Sequence, residues 1–314
     1  MKLRILFLTS LTMAAFASNS LLCRAALKET RIDAASFTFV RILSGAITLW
    51  AILQIRRRLI VDRTAPPLVD SSSGWSLVTG HWSLQSGNWI SAIALFVYAV
   101  GFSFAYINLS AGTGALLLFG AVQATMILWG YRKGERLDLI QIVGIAVALT
   151  GLVILVFPGI SAPPLIGAVF MLVAGIAWGV YSLRGRNARD PIATTTDNFI
   201  RAVPFALLTS LAMFSAVRLD SLGLTYAIIS GAVTSGLGYV IWYSALAELK
   251  AASAATVQLS VPVLAATGGI ILLHEPISLR YVIASVAVLG GIALVVIEKQ
   301  RGPSASPQVR PGSV

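Results

Sequence analysis

The chain is a succession of apolar runs, each about as long as a bilayer is thick, and this decides its class of fold. A helix needs roughly 20 residues to cross the hydrocarbon core. In lipid, only helices and closed barrels satisfy their own backbone polar groups. Runs at 4–23, 34–55, 89–108, 112–131, 138–157, 164–183, 198–217, 222–243, 253–273 and 278–297 meet the length, and none carries Asp or Glu near its middle. Most connections are short and contain turn residues such as Pro158-Gly159 and Pro163-Pro164. Charged residues make up 11% of the 314 residues, against about 25% in soluble domains, too few to cover a water-facing surface. The expectation is an all-α integral membrane protein of ten transmembrane helices.

Two segments break the pattern. Residues 56–88 open with Arg56-Arg57-Arg58, contain Pro66-Pro67 and Ser71-Ser72-Ser73, and read as a flexible surface loop; the Pro/Ser-rich tail 300–314 reads as disordered. The start resembles a secretion signal, with Lys2 and Arg4 before an apolar run and Ala15-Phe16-Ala17 as a cleavage-like site. The internal repeat described next argues instead that this run is the first helix of the bundle.

The net charge of +11 does not point to nucleic acid, because the basic residues lie between apolar segments and not on one face. They fix an orientation instead. With ten helices and the N-terminus inside, sixteen Lys and Arg fall in inner loops and tails and five outside; Arg41 and Arg201, inside or at the edge of helices, complete the 23. This bias places both termini in the cytoplasm, and the absence of transit features favours a bacterial inner membrane. A single cysteine, Cys23, excludes an intrachain disulfide framework, and no His/Cys spacing fits a metal.

The two halves are related. A shift of 160 residues brings Arg24 onto Arg184 and Phe39-Val40-Arg41 onto Phe199-Ile200-Arg201. A shift of 137 brings Tyr106 onto Tyr243, and one of 140 brings Glu135 onto Glu275 and Gly151 onto Gly291. Five helices per half is an odd number, so the second half (159–299) is expected upside down relative to the first (1–158). Inverted repeats are a common plan of secondary transporters, with the substrate between the halves near the midplane; duplication for stability alone is the bland alternative.

Residues 111–157 run from small residues through an apolar stretch to Gly134-Glu135 and a helix with Gly151-Leu152. Residues 251–297 repeat the scheme with Pro262, Glu275-Pro276 and Gly290-Gly291, and residues 167–186 add Gly167, Trp178, Arg184 and Arg186. The chain resembles the drug/metabolite transporter superfamily in its ten-helix branch of two EamA domains, over nearly its whole length. Within it, the chain is similar to bacterial aromatic amino acid exporters. The resemblance implies export of amino acids, often aromatic; sister groups carry nucleotide sugars, purines, drugs and sugar phosphates. A single chain holds both halves, so a monomer suffices. No cofactor is implied.

Polar side chains are costly in hydrocarbon and usually face the bundle interior. On that ground Ser18, Asn19, Tyr98, Gln123, Trp178, Tyr181, Tyr239, Trp242 and Gln258 are the candidate substrate cavity. Their amides and hydroxyls suit a zwitterion and their rings an apolar side chain. The competing reading gives Ser and Thr to their own helices and aromatic residues near helix ends to the interfacial belt. Arg41 and Arg201 are assigned to the interface, by snorkelling. Glu135 and Glu275 read as caps or as partners of Arg136 or Arg280. Gly112, Gly120 and Pro262 are hinge candidates, with close helix packing as the alternative. No nucleophile, acid–base pair or metal motif points to catalysis, and no filter-like segment points to a channel.

Overall fold

A computed structural model describes residues 2–64, 86–134, 137–157, 162–186, 188–246 and 257–301. Ten main helices are present among these residues, besides a 3-10 turn at Phe214–Ala216. They are α1 (Lys2–Glu29), α2 (Ala34–Thr64), α3 (Trp89–Tyr106), α4 (Ala111–Arg132), α5 (Leu139–Val156), α6 (Leu165–Gly185) and α7 (Pro191–Ala212), followed by α8, α9 (Ser260–Leu273) and α10 (Leu279–Arg301). Helix α8 has three parts: an α-helix Ser221–Ile229, a π-helical stretch Ser230–Leu237 and a second α-helix Gly238–Leu246. Eight of the ten are long and apolar enough to cross a membrane; α7 and the described part of α9 are the exceptions. The protein is an all-α, multi-pass membrane fold.

Local chemistry sets the helix starts. A side-chain oxygen just ahead of each of five helices takes one of the orphan N–H groups of the first turn. Asp33 accepts from Ser36, Asn88 from Ser91, Ser110 from Thr113, Asp190 from Ala193 and Asp220 from Gly223. Asp138 and Gln141 form a capping box at α5. Two boundaries differ from expectation. Helix α2 continues through Thr64, so residues 56–64 are helix and not loop; the rest of that loop, 65–85, and the tail 302–314 lie outside the described residues. Helix α7 begins at Pro191, seven residues before the apolar run that announced it, because Asp190 caps it and its polar first turns are buried.

The helices pair in an ordered way: α5 with α10, α3 and α4 with α6, α8 and α9 with α1, α2 with α7 and α8, α3 with α7, and α4 with α9. Exchanging the first five helices for the second five maps these principal pairings onto one another. At the α5–α10 seam the backbones touch: a Cβ added at Gly144 would sit 2.6 Å from the carbonyl of Gly291. Outward faces of α5 and α10 carry exposed Leu139, Ile142, Val143, Val153, Val286 and Ile297, the surface a lipid environment requires. Helix α1 packs on α3, α4, α8 and α9, with Asn19, Ser20, Cys23 and Ala26 buried and Leu3, Leu6 and Phe7 near its start exposed.

Polar residues fasten both ends of the bundle. At one end Arg24 Nε donates to Glu275 Oε1 at 2.9 Å, and Lys28 Nζ donates to the Leu273 carbonyl at 2.8 Å. At the other, Arg56 donates to both oxygens of Asp190 at 3.0 and 2.6 Å, while Arg184 reaches Ser91 and Asn88.

Candidate functional site

The middle of the bundle holds a connected polar cluster. Asn19 of α1 donates from Nδ2 to the Tyr98 hydroxyl on α3 at 3.3 Å, and its Oδ1 accepts from Ser230 at 2.6 Å and from Thr234 at 3.3 Å, both on α8. The π-helical stretch turns Ser230 and Thr234 together toward α1; such wide turns recur at functional sites. From α2, Arg41 Nη2 donates to the same Tyr98 hydroxyl at 2.9 Å. Four helices therefore meet on two side chains.

Arg41 is the strongest charge in this region. It is 2% exposed, seven residues inside α2, or about 10 Å from its start at 1.5 Å per residue. Its guanidinium lies 4.8 Å from the ring centre of Phe102 and 5.2 Å from that of Tyr98. It forms no ion pair among the described residues, and its Nη1 has no hydrogen-bond partner. The interfacial, snorkelling assignment is thus corrected: side chains of α3 cover Arg41 and hold it in the interior. Arg201 is likewise well inside α7, half-buried, with its guanidinium 5.3 Å from the ring centre of Trp89.

Aromatic rings continue from this cluster. Trp178 of α6 lies 4.8 Å from Tyr98 and stacks on Tyr181 at 5.4 Å and on Tyr239 at 5.3 Å. Phe16 meets Tyr239 and Trp242 edge-on, each at 5.9 Å. The structure thus brings Asn19, Tyr98, Trp178, Tyr181 and Tyr239 together, with Trp242 joined through Phe16. Ser18 is half-buried on α1 and makes no contact to the cluster that fixes it there. Gln123 is buried on α4 with Nε2 unpartnered, and Gln258 lies half-buried at the start of the α9 region; neither joins the cluster.

Sequence reasoning set Arg41 at the interface and passed over Phe16, Ser230 and Thr234. The last two were visible as hydroxyls four apart in an apolar run, one helical turn. Asp197 and Asn198 were also missed. Buried near the start of α7, Asp197 accepts from the N–H groups of Ser86 and Gly87, and Asn198 from that of Asn88. They hold the entry to α3, and Asn198 also hydrogen-bonds the Tyr181 hydroxyl at the edge of the cluster.

Glu275 has the structural role expected of it but a different partner. It pairs with Arg24 and accepts from the N–H of Ala111 at 2.8 Å, whereas Arg280 donates to the Phe157 carbonyl at 2.5 Å. Glu135 and Arg136 lie outside the described residues. Of the hinge candidates, Gly112 sits in tight packing, where a Cβ would meet Ala266 at 2.8 Å and the Tyr281 hydroxyl at 2.9 Å. Gly120 faces Leu152 of α5 at 3.1 Å. Pro262 is buried in the first turn of α9, just past a break at Leu259, as its missing N–H requires.

Among the described residues, no three His, Cys, Asp or Glu gather to hold a metal. Asp190, at the bundle end, feels opposing influences. Burial raises its pKa, but hydrogen bonds from Arg56 and from the Ala193 N–H, with the Arg56 charge, outweigh this and hold the carboxyl below its ordinary 3.8.

Comparisons agree with this architecture. Residues 165–297 match the EamA-like transporter family. An uncharacterized protein of Pseudomonas aeruginosa is 53% identical over 292 residues, covering 93% of this chain and 94% of that one. An uncharacterized transporter of Archaeoglobus fulgidus is 26% identical across 94% of this chain and 98% of its own length. The uncharacterized transporter YoaV of Bacillus subtilis is 21% identical across 82% of this chain and 85% of its own. A solved structure described as a crystal structure of a protein shares the fold, with TM-score 0.61 at 15% identity over 95% of this chain and 98% of that chain.

Proposed function

Since the chain belongs to the EamA-like transporter family, and so carries small molecules across a membrane, we propose that it exports neutral amino acids, aromatic ones foremost. The carrying observation is the mid-bundle cluster, where polar groups of Asn19, Tyr98, Ser230 and Thr234 adjoin the ring wall of Trp178, Tyr181 and Tyr239. A polar head and an aromatic body find matching surfaces there. Site residues of this kind, a few convergent polar groups among aromatic side chains, are usual for small ligands.

In this reading residues 1–158 and 159–299 are inverted five-helix halves, and transport proceeds by alternating access between them. The helix pairings that map onto themselves under exchange of halves support it. So do the two fastened ends, Arg24–Glu275 and Arg56–Asp190, which would open in turn. The charge bias of the loops puts the Arg56 end and both termini in the cytoplasm of a bacterial inner membrane. One chain supplies both halves, so a monomer suffices. The test is uptake of labelled tryptophan, phenylalanine, threonine and a nucleoside into proteoliposomes, with and without a pH gradient. Saturable amino acid uptake, competed by unlabelled substrate and indifferent to the gradient, is the expected result. Nucleoside uptake without amino acid uptake would move the substrate to another class in the superfamily.

A further inference from the structure

We infer that Arg41 is the anion-binding residue of this site, that it recognises a carboxylate, and that an amino group on the substrate is dispensable. The inference rests on the aromatic-substrate reading above and narrows it to aromatic carboxylates.

A cation inside a membrane protein is costly and is normally matched by an acidic side chain or a ligand. Arg41 is matched by neither among the described residues: its one polar partner is the neutral hydroxyl of Tyr98, and Nη1 is buried without a partner. The carboxylates of known placement lie at the bundle ends. Glu275 is held by Arg24, Asp190 by Arg56, Asp197 by the Ser86 and Gly87 N–H groups, and Asp33 by the Ser36 and Arg218 N–H groups. Among the described residues no carboxylate neutralises Arg41, and a ligand carboxylate can.

Tyr98 makes the site a fork. A phenol has one hydrogen to donate and two lone pairs. Tyr98 accepts from both Asn19 and Arg41, so its own O–H is left to donate. A carboxylate spanning Arg41 Nη1–H and Tyr98 O–H receives two donors, one of them charged, which is the stronger class of hydrogen bond. The rings of Trp178, Tyr181 and Tyr239 adjoin Tyr98, so aromatic surface lies beside the position of that carboxylate. An ammonium has no such provision. Oδ1 of Asn19 already accepts from Ser230 and Thr234, and among the described residues no carboxylate pairs with this cluster.

The test is the melting temperature of the purified full-length protein in detergent, titrated separately with indole-3-propionate, tryptophan and tryptamine. Indole-3-propionate and tryptophan are expected to raise it and tryptamine is not. Arg41→Met should weaken the carboxylate effect at least tenfold while the ligand-free protein melts no lower than wild type, because the variant removes an unneutralised buried charge. Arg41→Lys should retain part of the effect. Tyr98→Phe keeps the ring and removes the second donor, and is expected to weaken binding roughly tenfold; it carries the test should Arg41→Met not fold. A carboxylate effect that survives in Arg41→Met and Tyr98→Phe, stabilisation by tryptamine alone, or no response of wild type to either carboxylate would each overturn the inference. Arg41-dependent carboxylate binding without tryptophan transport would overturn amino acid export and leave the inference standing.

Discussion

Arg24 and Glu275, 251 residues apart in sequence, meet at 2.9 Å and tie the end of α1 to the turn after α9. The same guanidinium donates to the carbonyls of Tyr106 and Ile107 at the end of α3, while Glu275 takes the first N–H of α4. One ion pair thus closes four helices at one end of the bundle.

Removing one member leaves the other charge nearly buried, since the side chains are 14% and 8% exposed. Arg24→Ala is expected to cost about 3–5 kcal/mol of stability, measured by thermal unfolding in detergent. Glu275→Gln should cost less, because the amide oxygen still accepts from Ala111. Equal losses would mean that the retained cap on Ala111 contributes nothing beyond the charge pairing.

The opposite end should respond to pH. Asp190 titrates below its ordinary 3.8 in the folded protein. Its contribution is therefore fully present above about pH 4 and is lost as pH falls through the lower, folded value. The pair is partly exposed, at 42% and 33%, so the contribution stays within about 1 kcal/mol. Unfolding of Asp190→Asn between pH 3 and 6 should show a shallower fall at the acid side than wild type. Parallel curves would contradict the assignment.

Gly231 is the closest approach between α8 and α2, and it lies under the site. A Cβ there would run into the Arg41 carbonyl and Ser44 Oγ. Gly231→Ala is expected to lose about 1–3 kcal/mol through overpacking, with weakened ligand binding because the backbone that carries Arg41 must move. Gly290 has nothing within 4 Å of an added Cβ. Gly290→Ala should be neutral or gain up to about 1 kcal/mol from helix propensity. Comparable losses in the two variants would show that the α2–α8 approach is not tight.

The hinge reading is testable at Pro262, beside the break at Leu259. Pro262→Ala should slow transport and leave the melting temperature close to wild type. Unchanged transport would assign the proline to packing, the role already visible in the contacts of Gly112 with Ala266 and Tyr281.

Much of the fold was legible in the sequence because span length and apolarity are set by the bilayer and are local. The reading slipped where burial was purchased by polar partners distant in sequence. The start of α7 was placed late because Asp197 and the polar turns before it look like loop residues until Ser86 and Gly87 arrive to satisfy Asp197. Arg41 looked interfacial because its distance from the helix start is known locally, but the Tyr98 and Phe102 rings that cover it come from α3. The π-helical stretch in α8 has no marker in Ser230–Leu237 beyond small residues. Asn19, Tyr98, Trp178 and Tyr239 were legible as candidates because uncommon residue types stood mid-run; Gln123 and Gln258 satisfied the same rule, yet α4 and α9 hold them away from the cluster.

Counterflow measures the central claim most directly. Proteoliposomes preloaded with unlabelled tryptophan are diluted into labelled tryptophan, and the initial rate of uptake is compared with that of empty vesicles. The account predicts that preloading accelerates uptake, because a site reorienting with bound substrate exchanges it across the membrane. Saturable uptake without acceleration would contradict exchange through one reorienting site. No uptake in either condition, by protein shown to be folded, would contradict the substrate assignment itself.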